Sequence, residues 1–359
     1  MSNRNKYYRG KIIHGKWARF FITVLVIFLI LIIPFLIILK SHFQYSRDGV
    51  IIKTGNNVYS NDSFNSSTSS SDPLIIETPD YSSMKPIAGE DTEPIHSLYF
   101  SSSNISEDLV SNNSEVFSDY DCVILELKPS NGKLVWNSSV PMASRYNLNG
   151  SVNISSLVSS LKATGLRVIA QLSCAKDDLL ITRNPTFALH TADGNVYSGT
   201  DGTWIDPTNM DAKQYIVDLA IELIDSGVDE IWLSNLNQPD SATSNFKYSS
   251  TLAQELSASD VVNSYCLYLS NQIRTTGVNI AAVIDESGLT AYASKRFTQD
   301  LAFFGKMFDR LCCFTTSDNA VSDFEQCTSY LTLGTAEYRF VAICSDSLPL
   351  TQSSAYVFS

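Results

Sequence analysis

From about residue 95 the chain alternates short apolar runs with longer amphipathic stretches. The runs fall at 97–100, 122–127, 167–172, 230–233, 280–284, 311–314 and 340–344. Each has the length and apolar content of a buried strand. Between them, apolar residues recur at helical spacing. Ile154, Leu157, Val158 and Leu161 share one face, as do Tyr215, Ile216, Leu219, Ala220 and Leu223. Val262, Tyr265, Cys266, Leu269 and Ile273 form a third stripe, and Phe297, Leu301, Phe304 and Phe308 a fourth. The pattern predicts seven strands alternating with helices, and residues 355–358 offer an eighth strand without a preceding helix.

The junctions are asymmetric. Gly165, Gly227 and Gly277 each sit between a helical stripe and the next strand, where a residue in the left-handed region ends a helix. The opposite connections, 128–148, 173–208 and 235–260, are far longer than ordinary loops. Tight turns at one end and long loops at the other predict an α/β fold of the (β/α)8 TIM-barrel-like kind, with its site at the C-terminal ends of the strands. An open doubly wound sheet is the alternative, but no G-x-G-x-x-G follows the first strand.

The N-terminal part differs. Residues 20–39 read FFITVLVIFLILIIPFLIIL, long enough to cross a hydrocarbon core. The run exceeds the apolar core of a cleaved signal peptide and lacks a small-residue cleavage pattern after it. Seven basic residues and no acid lie in residues 1–40, mostly ahead of the run, which places the N-terminus in the cytoplasm. The remaining 18 basic and 37 acidic residues give the body a net charge of −19, which disfavours nucleic acid as a partner. The division expected is a basic cytoplasmic tail (1–19), a transmembrane helix in the lipid bilayer (20–39), a flexible Ser/Asn-rich stalk (40–92) and an extracytoplasmic barrel (93–359). The seven cysteines show no C-x-x-C and the four histidines are scattered, so neither a metal site nor a cofactor is expected.

Candidate chemistry gathers at strand ends. Glu126 and Lys128 close the second strand, and Gln171, followed by Lys176, closes the third. Asn235 and Asn237 follow the fourth strand, and Asp285 and Glu286 the fifth. Trp204 and Asp206 lie on the long loop after the third strand. Carboxylates converging there suit glycoside hydrolysis, which needs an acid and a base or nucleophile across the bond. Trp136, Trp204 and Tyr197 offer faces for stacking on sugar rings. Asp229 and Glu230 open the fourth strand at the opposite end, where a structural or capping role is expected.

From about residue 95 to 284, the chain resembles the glycosyl hydrolase-like domain family of bacterial envelope proteins. The resemblance rests on VILELK at 123–128, GLRVIAQ at 165–171, AKD at 175–177, GTWIDP at 202–207, YIVDLAIEL at 215–223 and GVDEIWL at 227–233. It implies an α-amylase-type barrel acting on a polysaccharide or oligosaccharide. Departures from the family pattern are equally specific. An aspartate becomes Glu126, an acidic pair after Lys128 is missing, and an acid and an arginine after the fourth strand are replaced by Ser234 and Asn237. The resemblance therefore favours a glycan-binding barrel whose hydrolysis is weak or lost. An active hydrolase using Asp206, Asp285 or Glu286 in a shifted arrangement is the second reading, with Asp206, Asp285 and Glu126 as its catalytic candidates, and a structural protein-interaction barrel the third. Glu126, Lys128, Gln171, Lys176, Asp206, Asn235 and Asp285 are expected to face one cleft.

The topology is directly testable. Protease added outside intact cells should cut within residues 40–92 and release the acidic body. Protection of the body until the membrane is permeabilised would reverse the orientation.

Overall fold

The computed structural model describes residues 43–46, 49–52, 85–89, 92–199, 202–239, 245–284, 289, 298–348 and 353–358. The chain divides into two units, Met1–Pro73 and Leu74–Ser359. In the first, Phe43–Ser46 pairs antiparallel with Gly49–Ile52, a short hairpin within the expected stalk. The proposed membrane segment, 20–39, lies outside the described residues. Among the described residues, no helix is long and apolar enough to cross a membrane.

The second unit is built on a closed ring of eight parallel strands. In chain order these are β1 (His96–Phe100), β2 (Cys122–Lys128), β3 (Arg167–Ser173), β4 (Glu230–Ser234), β5 (Asn279–Ile284), β6 (Arg310–Phe314), β7 (Phe340–Cys344) and β8 (Ser354–Phe358). Each pairs with its sequence neighbours, and β8 pairs in parallel with both β7 and β1. The eighth strand thus closes the barrel and removes both sheet edges, and the open-sheet alternative is excluded. The helices α1 (Leu109–Asn113), α2 (Ile154–Ala163), α3 (Met210–Asp225), α4 (Ala258–Ile273), α5 (Leu301–Met307) and α6 (Ala320–Thr328) follow β1 to β6 in turn.

Local chemistry sets the helix boundaries. Asn153, Asn209, Ser257 and Asp300 each accept a backbone N–H of the first turn, starting α2, α3, α4 and α5. The turns back into β3, β4 and β5 pass through Gly165, Gly227 and Gly277 at φ of +92°, +98° and +82°, as the spacing predicts. The helical stripes bury Leu157, Leu161, Ile216, Leu219, Leu223, Cys266 and Leu269 against the outside of the strands. All seven cysteines are buried with free thiols.

The barrel's interior holds a second apolar cluster that includes Ile124, Ile169, Trp232, Val283, Cys312 and Ile343. Below it lies an ion pair. Arg310 Nε stands 3.0 Å from Glu230 Oε1, with both side chains almost wholly buried. Trp232 Nε1 donates to the same oxygen at 2.7 Å, and Arg310 Nη1 donates to the Tyr338 carbonyl. Glu230 takes the structural role expected of it. Asp229 beside it accepts the Val168 N–H at 2.8 Å and pairs with Lys162 at 2.7 Å.

A second buried arginine organises the base of the barrel. Arg339 gives its guanidinium to the carbonyls of Asp309, Leu333, Gly305 and Phe308 at 2.7–2.9 Å. Burial lowers its pKa to about 10, which leaves it charged at neutral pH. Residues 85–89, assigned by composition to the stalk, dock here. Ile87 N donates to the Lys306 carbonyl at 2.9 Å and Gly89 N to Asp309 Oδ1 at 2.9 Å. Contact with the barrel therefore begins ahead of residue 93.

Removing one member of a buried ion pair leaves the other uncompensated, at a cost of about 3–5 kcal/mol. Glu230→Ala should lower the free energy of unfolding by an amount of that order in urea titration of the full chain. A loss below about 1 kcal/mol, the range of an exposed pair, would show that Arg310 finds equivalent partners in the carbonyls around it.

Candidate functional site

Inward-facing side chains alternate along each barrel strand, and at the C-terminal ends they line an open cavity of about 400 Å3. Tyr99 enters from β1, Glu126 from β2, Gln171 from β3, Ser234 from β4, Val283 from β5 and Phe314 from β6. Ile284 at the end of β5 and Ser130, Lys176, Asn235, Asn237 and Gln299 beyond the strands complete the described wall. Of the residues expected to face one cleft, Glu126, Gln171, Lys176 and Asn235 are brought together here, and the further candidate Asn237 joins them. Asp285 and Glu286 lie outside the described residues.

Glu126 is held in place. Its Oε2 accepts the backbone N–H of Ser102 at 3.0 Å, from the loop after β1. Tyr99 lies beside it, close to Gln171. Burial, with a smaller contribution from the Glu126 charge, raises the Tyr99 pKa well above its usual 10, so the phenol stays protonated. Gln171 is 4% exposed, and its Oε1 has no hydrogen-bond partner among the described residues.

Ser234 and Asn235 line the cavity while bonding to its wall. Ser234 Oγ donates to the Leu172 carbonyl at 3.3 Å, and Asn235 Oδ1 accepts from Ser173 Oγ at 2.8 Å. Asn235 has a φ of +53°, a left-handed conformation that asparagine tolerates better than most residues.

Lys128 does not face the cavity, contrary to the sequence-based expectation. The β2–β3 register shifts between Glu126 and Lys128, so that Glu126 pairs with Gln171 but Lys128 with Leu172. A bulge of this kind turns the following side chain to the other face. Lys128 points into the layer outside the barrel, wholly buried, with Nζ 2.9 Å from Asp177 Oδ2 and donating to the Ser173 carbonyl at 2.9 Å. Asp177 Oδ1 in turn caps the short helix Asp178–Arg183 through the Leu180 N–H. Gly132 is needed beside this pair, since a Cβ there would stand 1.7 Å from Asp177 Oδ1.

Asp206 and Trp204 are also displaced from the expected cleft. Asp206 is 1% exposed and does not line the cavity. One of its oxygens accepts Thr208 N at 2.8 Å and Thr208 Oγ1 at 2.7 Å, and the other accepts Ser249 N at 2.5 Å. It thereby joins the loop after β3 to the loop after β4. A two-residue pairing of His190–Thr191 with Phe246–Lys247 ties the same loops together. Trp204 is buried beneath Lys176, whose Nζ sits 4.6 Å from the ring centroid, a cation–π contact.

The other aromatic candidates are likewise engaged. Trp136 is buried and donates to Glu222 at 2.9 Å, and Tyr197 packs edge-on against Phe246 at 5.3 Å. Among the described residues, the aromatic side chains at the cavity are Tyr99 and Phe314, neither singled out from the sequence. The signal was available, since Arg310, Cys312 and Phe314 alternate along β6 and a period-two count aims Phe314 inward at the strand's end.

Residues 98–316 match the family described as "Putative glycosyl hydrolase domain". The chain belongs to this family. Among solved structures, the glycoside hydrolase domain of PgaB (BpsB) from Bordetella bronchiseptica is 12% identical, covers 70% of this chain and 84% of its own, and superposes with a TM-score of 0.53. That similarity is one of fold. A hypothetical protein from Ruminiclostridium thermocellum is 21% identical over 52% of this chain and 96% of its own, with a TM-score of 0.46. Aspergillus fumigatus Ega3, solved with galactosamine, is 10% identical over 73% of this chain and 82% of its own, with a TM-score of 0.40. No curated protein matches the sequence. The glycosyl hydrolase-domain family and the closed barrel agree on where a site belongs, at the strands' C-terminal ends.

Asp206→Ala leaves three donors of the loops without their acceptor. Unsatisfied buried groups cost about 1–3 kcal/mol each. The variant should melt several degrees lower than the wild type in a thermal scan. An unchanged melting temperature together with lost glycan affinity would return Asp206 to the binding site.

Proposed function

We propose that this chain is a membrane-anchored, extracytoplasmic glycoside hydrolase-like protein that binds a polysaccharide or oligosaccharide, with hydrolysis weak or lost. The observation that carries the reading is the carboxylate content of the cavity. Among the described residues lining it, Glu126 is the one carboxylate, whereas hydrolysis by either stereochemical route uses two across the scissile bond. At the end of β4 the cavity presents Ser234 and Asn237, and neither can serve as a carboxylate acid, base or nucleophile. What the cavity offers instead is a polar lining that includes Gln171, Asn235 and Asn237, which suits recognition of hydroxyl-rich rings. Anchoring by residues 20–39 and the orientation of the body rest on the apolar run and the basic flank.

A second reading has one observation in its favour. Ile284, the last residue of β5, lines the cavity, and Asp285 and Glu286 follow it directly in sequence. Either, paired with Glu126, would make an active hydrolase.

The two readings separate in one experiment on the full chain, a glycan array read alongside reducing-end release. Binding without release is expected. Turnover that falls by about 10²–10⁴-fold in both Glu126→Gln and Asp285→Asn would establish the active reading in its place.

A further inference from the structure

The cavity at the barrel mouth has two unlike walls. On one side Phe314 remains 39% exposed, in a T-shaped pair with Tyr99 at 5.2 Å and an interplanar angle of 86°. On the other side stand Glu126 and Gln171, paired across β2 and β3. We infer that Phe314 is the stacking platform for one pyranose ring, whose rim hydroxyls or amine donate to Gln171 Oε1 and Glu126. The inference rests on the carbohydrate reading and extends it to the residues that select the sugar.

Three observations converge on it. Gln171 Oε1 is a buried acceptor without a partner among the described residues, and leaving such a group unpaired costs about 1–3 kcal/mol. A ligand donor at the cavity would remove that cost. Glu126 has one oxygen fixed by Ser102 N, and an ionised carboxylate retains further acceptor capacity. Ser234 Oγ and Asn235 Oδ1 bond to the wall, whereas Glu126 and Gln171 each have acceptor capacity left.

A ligand that meets these demands has an apolar face for Phe314 and O–H or N–H donors along its rim. A pyranose ring has both. Its charge is bounded as well. Glu126 faces the ring, and Lys176 is the one cation among the described residues of the lining, so a ring that brings neutral or cationic donors to Glu126 is favoured over one that brings a further carboxylate to it. The seat takes neutral or amino sugars. The acceptor pair distinguishes these two, because an ammonium group gains more from a carboxylate than a hydroxyl does.

The test uses the full chain and four probes: the tetramers of glucose, N-acetylglucosamine, glucosamine and galacturonic acid, titrated by calorimetry. At least one of the first three should bind, and the galacturonic acid tetramer should not. Phe314→Ala should weaken binding about tenfold or more, and Phe314→Tyr, which keeps the ring, should restore most of it. Gln171→Ala should weaken binding by about the same factor. Glu126→Gln should weaken the glucosamine tetramer most if the natural ring is an amino sugar, and all binding tetramers alike if it is neutral. Melting curves of each variant confirm that the fold is retained. Wild-type binding that survives Phe314→Ala in a folded protein overturns the platform but leaves the carbohydrate reading standing. A wild type that binds none of the first three overturns both.

Discussion

Glu230 and Arg310 meet inside a closed ring of parallel strands, and the use of the rest of the interior follows from where they meet. A barrel of eight strands has a lumen just wide enough for side chains to fill. The ion pair, with Trp232 hydrogen-bonded to it, fills the lower part. Apolar residues from Ile124, Ile169 and Cys312 fill the middle. The upper positions are occupied by Tyr99, Glu126, Gln171, Ser234 and Phe314 around a cavity that stays open. The polar groups at the base are mutually satisfied, while those at the mouth retain free acceptor capacity at Gln171. That difference separates scaffold from candidate site more sharply than residue type does.

Charged residues near the mouth divide along the same line. Lys128 with Asp177, and Asp206 with Thr208 and Ser249, are spent on holding the long loops to the barrel and to each other. They sit in the best-matched sequence motifs of the family, yet they are buried and paired within the protein. Positions a family shares can therefore record how its loops are built as well as what its site does. The residues left facing the cavity include those at which this chain departs from the family pattern, Glu126, Ser234 and Asn237.

The strands, the helical faces and the glycine turns were legible because each rests on local periodicity, and the eighth strand was visible as an unassigned apolar run at 355–358. Side-chain direction near the strand ends was legible only where the period of two held. It held for Gln171 and Glu126. It failed at Lys128 because a bulge adds a residue that no alternation count reveals. Trp204 and Asp206 were misplaced for a different reason. Their loop folds back on itself through antiparallel bridges such as Lys176 with Trp204 and Ala188 with Ile205, contacts set by tertiary structure. The docking of residues 85–89 was hidden for the same reason, since its partners Lys306 and Asp309 lie more than two hundred residues away.

The pairing of β8 with β1 has a kinetic consequence. Ser97 Oγ donates to the Ser354 carbonyl, and Ser354 N donates to the Ile95 carbonyl, across a sequence separation of more than 250 residues. Nearly the whole domain must be made before these partners can meet, and the entropy of closing so long a loop is lost before the contacts form. Until then β1 and β7 present unpaired edges of a parallel sheet, the kind of surface on which nascent chains associate with one another. The barrel cannot be completed strand by strand as the chain emerges; its last few residues convert an open, association-prone sheet into a closed one in a single late step.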